Sequence, residues 1–266
     1  MSKIIALLIC DTPMSSVVAE HGDYNAMFTQ LVHAAGKQLG IADIATKCRL
    51  EPFDVEHKME YPTDTQLDSY AGILITGSKA SAYEDIEWIN KLVAFTARVV
   101  TDRPALKITG ICFGHQIVAR ALGGRCVKND GRWEVGPTPL SLTGLGKEVF
   151  GVDSLYIQEM HQDHVPEVPP TFHLLGSTEV SMNQGMVRFS SGGAAPSPLS
   201  LFDIHVFTVQ GHPEFHRGIV AQIVAARAAS RAIDAATAAD ATRRADWPND
   251  GVGVIGKAIL GVYGIA

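Results

Sequence analysis

Gly110-Ile111-Cys112-Phe113-Gly114-His115-Gln116 is the stretch on which the reading turns. Ala105 to Thr109 leads into it and reads as a strand, and Phe113 to Leu122 reads as a helix. A thiol flanked by glycines at G-x-C-x-G spacing suits a sharp strand-to-helix elbow. The residue at such an elbow has strained backbone angles. Side chains at the glycine positions would collide with the neighbouring strand or helix, the logic that also underlies G-x-S-x-G in serine hydrolases. The helix N-terminus then lies beneath the thiol and turns its positive dipole end toward the sulfur. The Phe113 N–H falls in the first helical turn, lacks an intrahelical partner and can face a developing oxyanion.

Outward from the elbow, strands and helices alternate. Ile4 to Cys10 is an apolar run of buried-strand length, followed by a helix over His21 to Leu39. Arg49 to Val55 reads as a weaker strand. Tyr70 to Ile75 is a clear one that ends in Thr76-Gly77-Ser78, and Ile86 to Val100 has helical periodicity. This order implies an α/β fold, a doubly wound and mostly parallel sheet flanked by crossover helices. In such sheets ligands bind beyond the carboxyl ends of the strands, where Ser78 and Cys112 both fall. After Gly124 the texture changes. Arg125 to Leu142, Leu155 to Met160, Phe172 to Leu175, Met186 to Phe189 and His205 to Val209 read as shorter strands, expected as an antiparallel extension. Ser190 to Pro198 is an exposed loop. The alanine-rich Arg217 to Arg244 reads as one long helix, broken from a short final helix, Val252 to Val262, by Pro248-Asn-Asp-Gly251. No internal repeat or second domain is evident, so a single domain over 1–266 is expected, with helices at about 217–262 packed on it.

The partner of the elbow lies downstream, in Gln210-Gly211-His212-Pro213-Glu214. A thiol is mostly protonated near neutral pH, and the thiolate is the nucleophile. His212 can take that proton and Glu214 can orient the imidazole. Cys112, His212 and Glu214 together read as the triad of a cysteine hydrolase. Gln116 lies about one helical turn beyond Cys112 and can face the pocket or serve as a surface polar residue. His115 points about 100° away and reads as structural. His161-x-x-His164 and His212-x-x-x-His216 invite a metal reading. Pro213 opposes a helical pair at the second, and no cysteine cluster accompanies either, so no metal or other cofactor is expected.

Gly110-Ile-Cys-Phe-Gly-His-Gln116 and Gly211-His-Pro-Glu214 resemble the nucleophile and His/Glu motifs of the class I (triad) glutamine amidotransferases, whose fold is flavodoxin-like. Leu74-Ile-Thr-Gly-Ser78 resembles the oxyanion strand-loop of that family, and Glu159-Met-His-Gln-Asp-His-Val165 resembles its substrate loop. The resemblance runs from about Ile4 to about Phe215. It implies that Ser78, with Gly77 shaping the turn, gives a second oxyanion donor beside Phe113, and that Gln116, Gln162 and Asp163 hold the substrate. Many members have a Ser-His-Gly-Asp type segment where this chain has Met160-His-Gln-Asp163. In that loop and in Phe113-Gly-His-Gln116 the chain is similar to stand-alone members, the fungal GMP-synthase-like glutaminase proteins and the plant γ-glutamyl peptidases.

Composition agrees with a packed domain. Hydrophobic residues make up 46% of the 266, ample for a core. The formal net charge of −6 supplies no general basic surface, so no nucleic-acid partner is expected. The four cysteines have no C-x-x-C spacing and read as reduced thiols of a cytoplasmic protein. No apolar run reaches membrane-spanning length, and Asp11-Thr12-Pro13 after the first run lacks a cleavage pattern. The expected activity is cleavage of a small-molecule γ-glutamyl amide, either glutamine or a γ-glutamyl peptide, through a glutamyl thioester. One alternative is a glutaminase subunit that delivers ammonia to a separate synthetase, since nothing after Phe215 resembles a synthetase module and no phosphate loop is present. The other is a non-enzymatic regulatory protein that retains the fold.

Overall fold

The computed structural model of the protein describes residues 2–266. Its first strand, β1 (Lys3–Ile9), lies between β2 (Cys48–Asp54) and β3 (Gly72–Ile75), and β4 (Lys107–Ile111) follows β3; these pairs are parallel. β5 (Val127–Lys128) and β8 (Asp163–His164) form a separate small ribbon. β6 (Glu134–Leu142), β7 (Leu155–His161), β9 (His173–Ser177) and β10 (Gly185–Phe189) pair antiparallel, and β11 (Ile204–Val209) joins the two halves. The main sheet has nine strands in the order β2-β1-β3-β4-β11-β10-β9-β6-β7. Its first part is the flavodoxin-like order, because β11 pairs parallel with β4. The parallel sheet and its antiparallel extension are both as expected.

Burial explains the apolar runs. Ile5, Ala6, Leu7 and Leu8 of β1 have no solvent exposure. Ile5 and Leu7 pack on one layer, with Phe28 and Leu31 of α2 (Tyr24–Gln38), Ile219 of α7 (Arg217–Ala229) and Ile259 of α9 (Lys257–Val262). Ala6 and Leu8 pack on the other, with Ile89 and Leu92 of α4 (Glu87–Asp102) and Ile117 and Val118 of α5 (Phe113–Ala121). A strand covered on both faces has no polar alternation to show.

Several boundaries differ from the sequence reading. The helix expected over His21 to Leu39 is α2, which Asp23 caps by accepting from the Ala26 N–H at 2.9 Å; a short helix outside that expectation, α1 (Ser15–His21), precedes it and is set off by Gly22, whose φ is 82°. The strand into the elbow starts at Lys107 and runs to Ile111, so Cys112 follows it directly. Asp130 and Gly131, both at positive φ, turn the chain between β5 and β6. α3 (Asp64–Leu67) and α6 (Gly144–Phe150) are short helices without enough turns to show a period. The long alanine-rich helix is two, α7 and α8 (Ala235–Arg243). Arg231 takes φ 61°, the Ala232 N–H returns to the Arg227 carbonyl at 2.9 Å, and Ile233 is buried. Asp234 then caps α8 by accepting from the Thr237 N–H at 2.7 Å. No glycine or proline marks this break, so helix propensity alone runs through it. The final helix starts as a π-helical turn, Gly251–Gly256, that continues into α9.

The elbow depends on backbone contact. A Cβ on Gly114 would lie 2.4 Å from the Ile75 carbonyl oxygen of β3, and one on Gly110 would lie 2.6 Å from the Gly114 carbonyl oxygen. Neither obstacle is a flexible side chain. Gly114→Ala is therefore expected to lower stability by about 1–3 kcal/mol, the typical cost of overpacking. A Cβ on Gly144 meets nothing within 4 Å, so Gly144→Ala serves as the control and should lose no stability. Urea unfolding of the two variants checks the difference.

Candidate active site

Four loops meet at the carboxyl end of the parallel strands: those after β1, β3, β4 and β11. Cys112 occupies the third, with φ 51° and ψ −103°. For a residue other than glycine this conformation costs on the order of 1–3 kcal/mol. The Cys112 N–H bonds to the Val209 carbonyl at 2.9 Å, and its own carbonyl accepts the first α5 hydrogen bond, from the Gln116 N–H at 3.1 Å. The Phe113 N–H lies ahead of that ladder, in the first turn of α5.

Gly77 stands between Cys112 and His212. A Cβ there would come within 2.8 Å of His212 Cε1 and 3.7 Å of Cys112 Cβ, so absence of a side chain lets the two approach. The imidazole is held on one edge and one face. His212 Nδ1 lies 2.8 Å from Glu214 Oε1, and its ring stacks on Phe215 with centroids 4.1 Å apart. Its backbone N–H bonds to the Gln158 carbonyl of β7 at 2.8 Å. Burial opposes charge on His212, but its interactions with Cys112 and Glu214 outweigh it and hold its pKa up at about 10.

Ser78 lines a polar cavity of about 170 Å³ together with Cys112, Gln116, Trp133, Gln162 and Asp163. Its loop is tied down by a residue to which the sequence alone assigns no part in the site. Asp11, after β1, accepts from the Lys79 N–H at 2.9 Å and pairs with the Lys79 ammonium. Asp11 also accepts from the Thr12 N–H at 2.7 Å. Ser78 Oγ accepts from the Ala80 N–H at 3.1 Å, which completes a local turn.

The residues expected to hold substrate are not equivalent. Gln116 is buried, and its Nε2 donates to the Asp163 carbonyl at 2.9 Å and to Gln210 Oε1 at 3.1 Å. Both amide hydrogens are used in bracing the loop, so only Oε1 can meet a ligand. Gln162 and Asp163 line the cavity, and burial raises the Asp163 pKa above the usual carboxylate range. His161, beside them, is fixed from below. Its Nε2 lies 3.1 Å from Glu134 and 3.2 Å from Glu159, and its Nδ1 lies 3.0 Å from the Asp163 carbonyl. Burial opposes its charge, but the two carboxylates hold its pKa well above the ordinary histidine value. Glu134 also accepts from Thr178 and from Gln184, each at 2.6 Å. His115 is buried with Nδ1 2.8 Å from Thr208 Oγ1, and burial and the charge on His161 push its pKa down to about 3. It is neutral and structural, as its direction on the helix implied.

A second cavity of about 440 Å³ adjoins the first and is lined by His212 and by Val17, Met27, Phe215, Ile219 and Ile223. Ser78, Lys79, Met160 and Arg227 line both. Arg227 has no motif around it and lies in an alanine-rich helix, so nothing in the sequence singles it out.

Residues 21–224 match the family model described as glutamine amidotransferase class-I, and the chain belongs to that family. Within it, a glutamine amidotransferase-like protein of Schizosaccharomyces pombe is 34% identical over 252 residues, 94% of each chain. Gamma-glutamyl peptidase 3 of Arabidopsis thaliana is 33% identical over 172 residues, 62% of this chain and 63% of that protein. Among solved structures, a glutamine amidotransferase from Thermotoga maritima superposes over 99% of both chains with a TM-score of 0.67 and 17% identity, a likeness of fold. No helix among the described residues is long and apolar enough to cross a membrane.

The raised pKa of His212 has a stability consequence. Between its ordinary value of 6.5 and about 10 the folded protein holds a proton that the unfolded chain releases. That contribution is complete below 6.5 and fades as pH rises through the upper value. The stability gap between the wild type and His212→Gln should therefore narrow from pH 6.5 to pH 10, which urea titrations at several pH values would read.

Proposed function

We propose that the protein is a cysteine hydrolase of γ-glutamyl amides and forms a single amidotransferase-like unit. Cys112 sulfur attacks the γ-carbonyl carbon. The carbonyl oxygen takes the negative charge and is held by the N–H groups of Phe113 and Ser78. His212 holds the proton taken from the thiol and gives it to the leaving nitrogen as the C–N bond breaks. Glu214 orients His212 through Nδ1 and stabilises its charged form. Water, deprotonated by His212, then cleaves the thioester to release glutamate and restore the thiol. No redox change or cofactor enters this sequence.

The observation that carries the reading is the set around His212: Glu214 on Nδ1 at 2.8 Å, with Cys112 and the imidazole both bordering Gly77. The strained φ of Cys112 supports it as well, because backbone strain of this kind clusters at functional sites. A leaving amine that is an amino acid is supported by the likeness to gamma-glutamyl peptidase 3. A glutaminase subunit that feeds a separate synthetase is supported by membership of the amidotransferase family.

Kinetics of three variants test the roles. Cys112→Ala should abolish glutamate release, and His212→Ala should lose nearly as much, on the order of a millionfold, because such groups act as a unit. Glu214→Gln should lose roughly a hundredfold less than these. Circular dichroism would establish that each variant folds. A silent Glu214→Gln, or an active Cys112→Ala, would refute the assignment.

A further inference from the structure

The two cavities divide at the thiol and the imidazole. The smaller touches Cys112 and Gln116 but not His212; the larger touches His212 and Phe215 but not Cys112. In thioester chemistry the acyl group becomes attached to sulfur, and the leaving amine takes its proton from the base. The smaller cavity thus lies on the acyl side, and the larger on the leaving-group side. The larger cavity, at about 440 Å³, far exceeds what ammonia needs, and Val17, Met27, Phe215, Ile219 and Ile223 give it apolar walls.

Two cations stand where the cavities join, Lys79 and Arg227. Lys79 is paired with Asp11, which also faces the larger cavity. Arg227 is half-buried and lies against the Trp133 ring, 5.0 Å from its centroid. Among the described residues it forms no salt bridge, whereas Arg217, Arg243 and Arg244 each pair with an aspartate. A stacked guanidinium keeps its planar donors oriented and matches a carboxylate.

We propose that the larger cavity is a leaving-group pocket, and that Arg227 binds the carboxylate of an amino-acid leaving group that carries an apolar side chain. The substrate class is then γ-glutamyl-X, with X an apolar amino acid or peptide. The proposal rests on the hydrolase reading above. The reaction is unchanged in its balance: the γ-C–N bond breaks, a proton passes to the nitrogen of X, and water supplies the oxygen of the new glutamate carboxylate.

The test compares glutamate release from glutamine, γ-glutamylphenylalanine and the C-terminal amide of γ-glutamylphenylalanine. The wild type should prefer the free dipeptide over glutamine, and over its amide, by at least about tenfold in kcat/KM. Arg227→Gln should bring the dipeptide-to-amide ratio close to one, chiefly through KM, and Arg227→Lys should restore part of it. Preference for glutamine would overturn the proposal. So would an Arg227→Gln loss equal for dipeptide and amide, since Arg227 would then serve the glutamyl carboxylate or merely the fold. If the wild type releases glutamate from none of the three, the hydrolase reading fails, and calorimetry on Cys112→Ala decides the pocket separately. Tighter binding of the dipeptide than of glutamine, lost on adding Arg227→Gln, would support the pocket; equal or absent binding would overturn it.

Discussion

The backbone contact among β3, β4 and α5 is the constraint on which the rest depends. Gly114 lets α5 press against Ile75, and Gly110 lets the strand leave room for the first turn of that helix. With both elements fixed so closely, Cys112 has no ordinary conformation by which to join them, and it adopts φ 51°. The strain is held by burial of Ile111, Phe113, Ile117 and Val118 on either side of it. The same geometry sets the sulfur at the carboxyl edge of the sheet with a helix N-terminus behind it. One close backbone contact thus positions the Cys112 side chain, sets a helix dipole behind it and leaves an N–H without a partner.

His212 is positioned from the other direction. It follows β11, the strand that joins the parallel and antiparallel halves. The antiparallel half contributes the Gln158 carbonyl that fixes the His212 backbone, and the buried Glu134–His161–Glu159 cluster beneath the Gln162–Asp163 loop. The C-terminal segment braces the loop that carries His212, since Asn249 donates to the Phe215 carbonyl at 3.0 Å. The antiparallel extension therefore has a purpose at the site. It holds the His212 backbone and the Gln162–Asp163 loop that the parallel sheet alone would leave open.

Much of this was legible in the residues. The alternation of apolar runs defined the sheet, because its central strands are covered on both faces and must be continuously apolar. The two short motifs located the elbow and the imidazole, because each needs glycine or a fixed spacing for steric reasons. What stayed hidden depends on partners distant in sequence. Asp11 has no local sign that it will clamp Lys79, and Glu134 has none that it will meet His161. Gln116 was legible as a pocket residue, but its engagement with Asp163 and Gln210 follows only from the packing of three loops. The break between α7 and α8 rests on a buried Ile233 and an Asp234 cap in a segment whose propensity is helical throughout.

The central claim is that the sulfur of Cys112 carries the acyl group. Rapid acid quench during turnover of a γ-glutamyl substrate, followed by mass spectrometry of the digested chain, addresses it directly. The account predicts one glutamyl group on the peptide that contains Cys112, formed and lost at rates compatible with turnover. Turnover with no such adduct, or an adduct on Cys10, Cys48 or Cys126 instead, would contradict it.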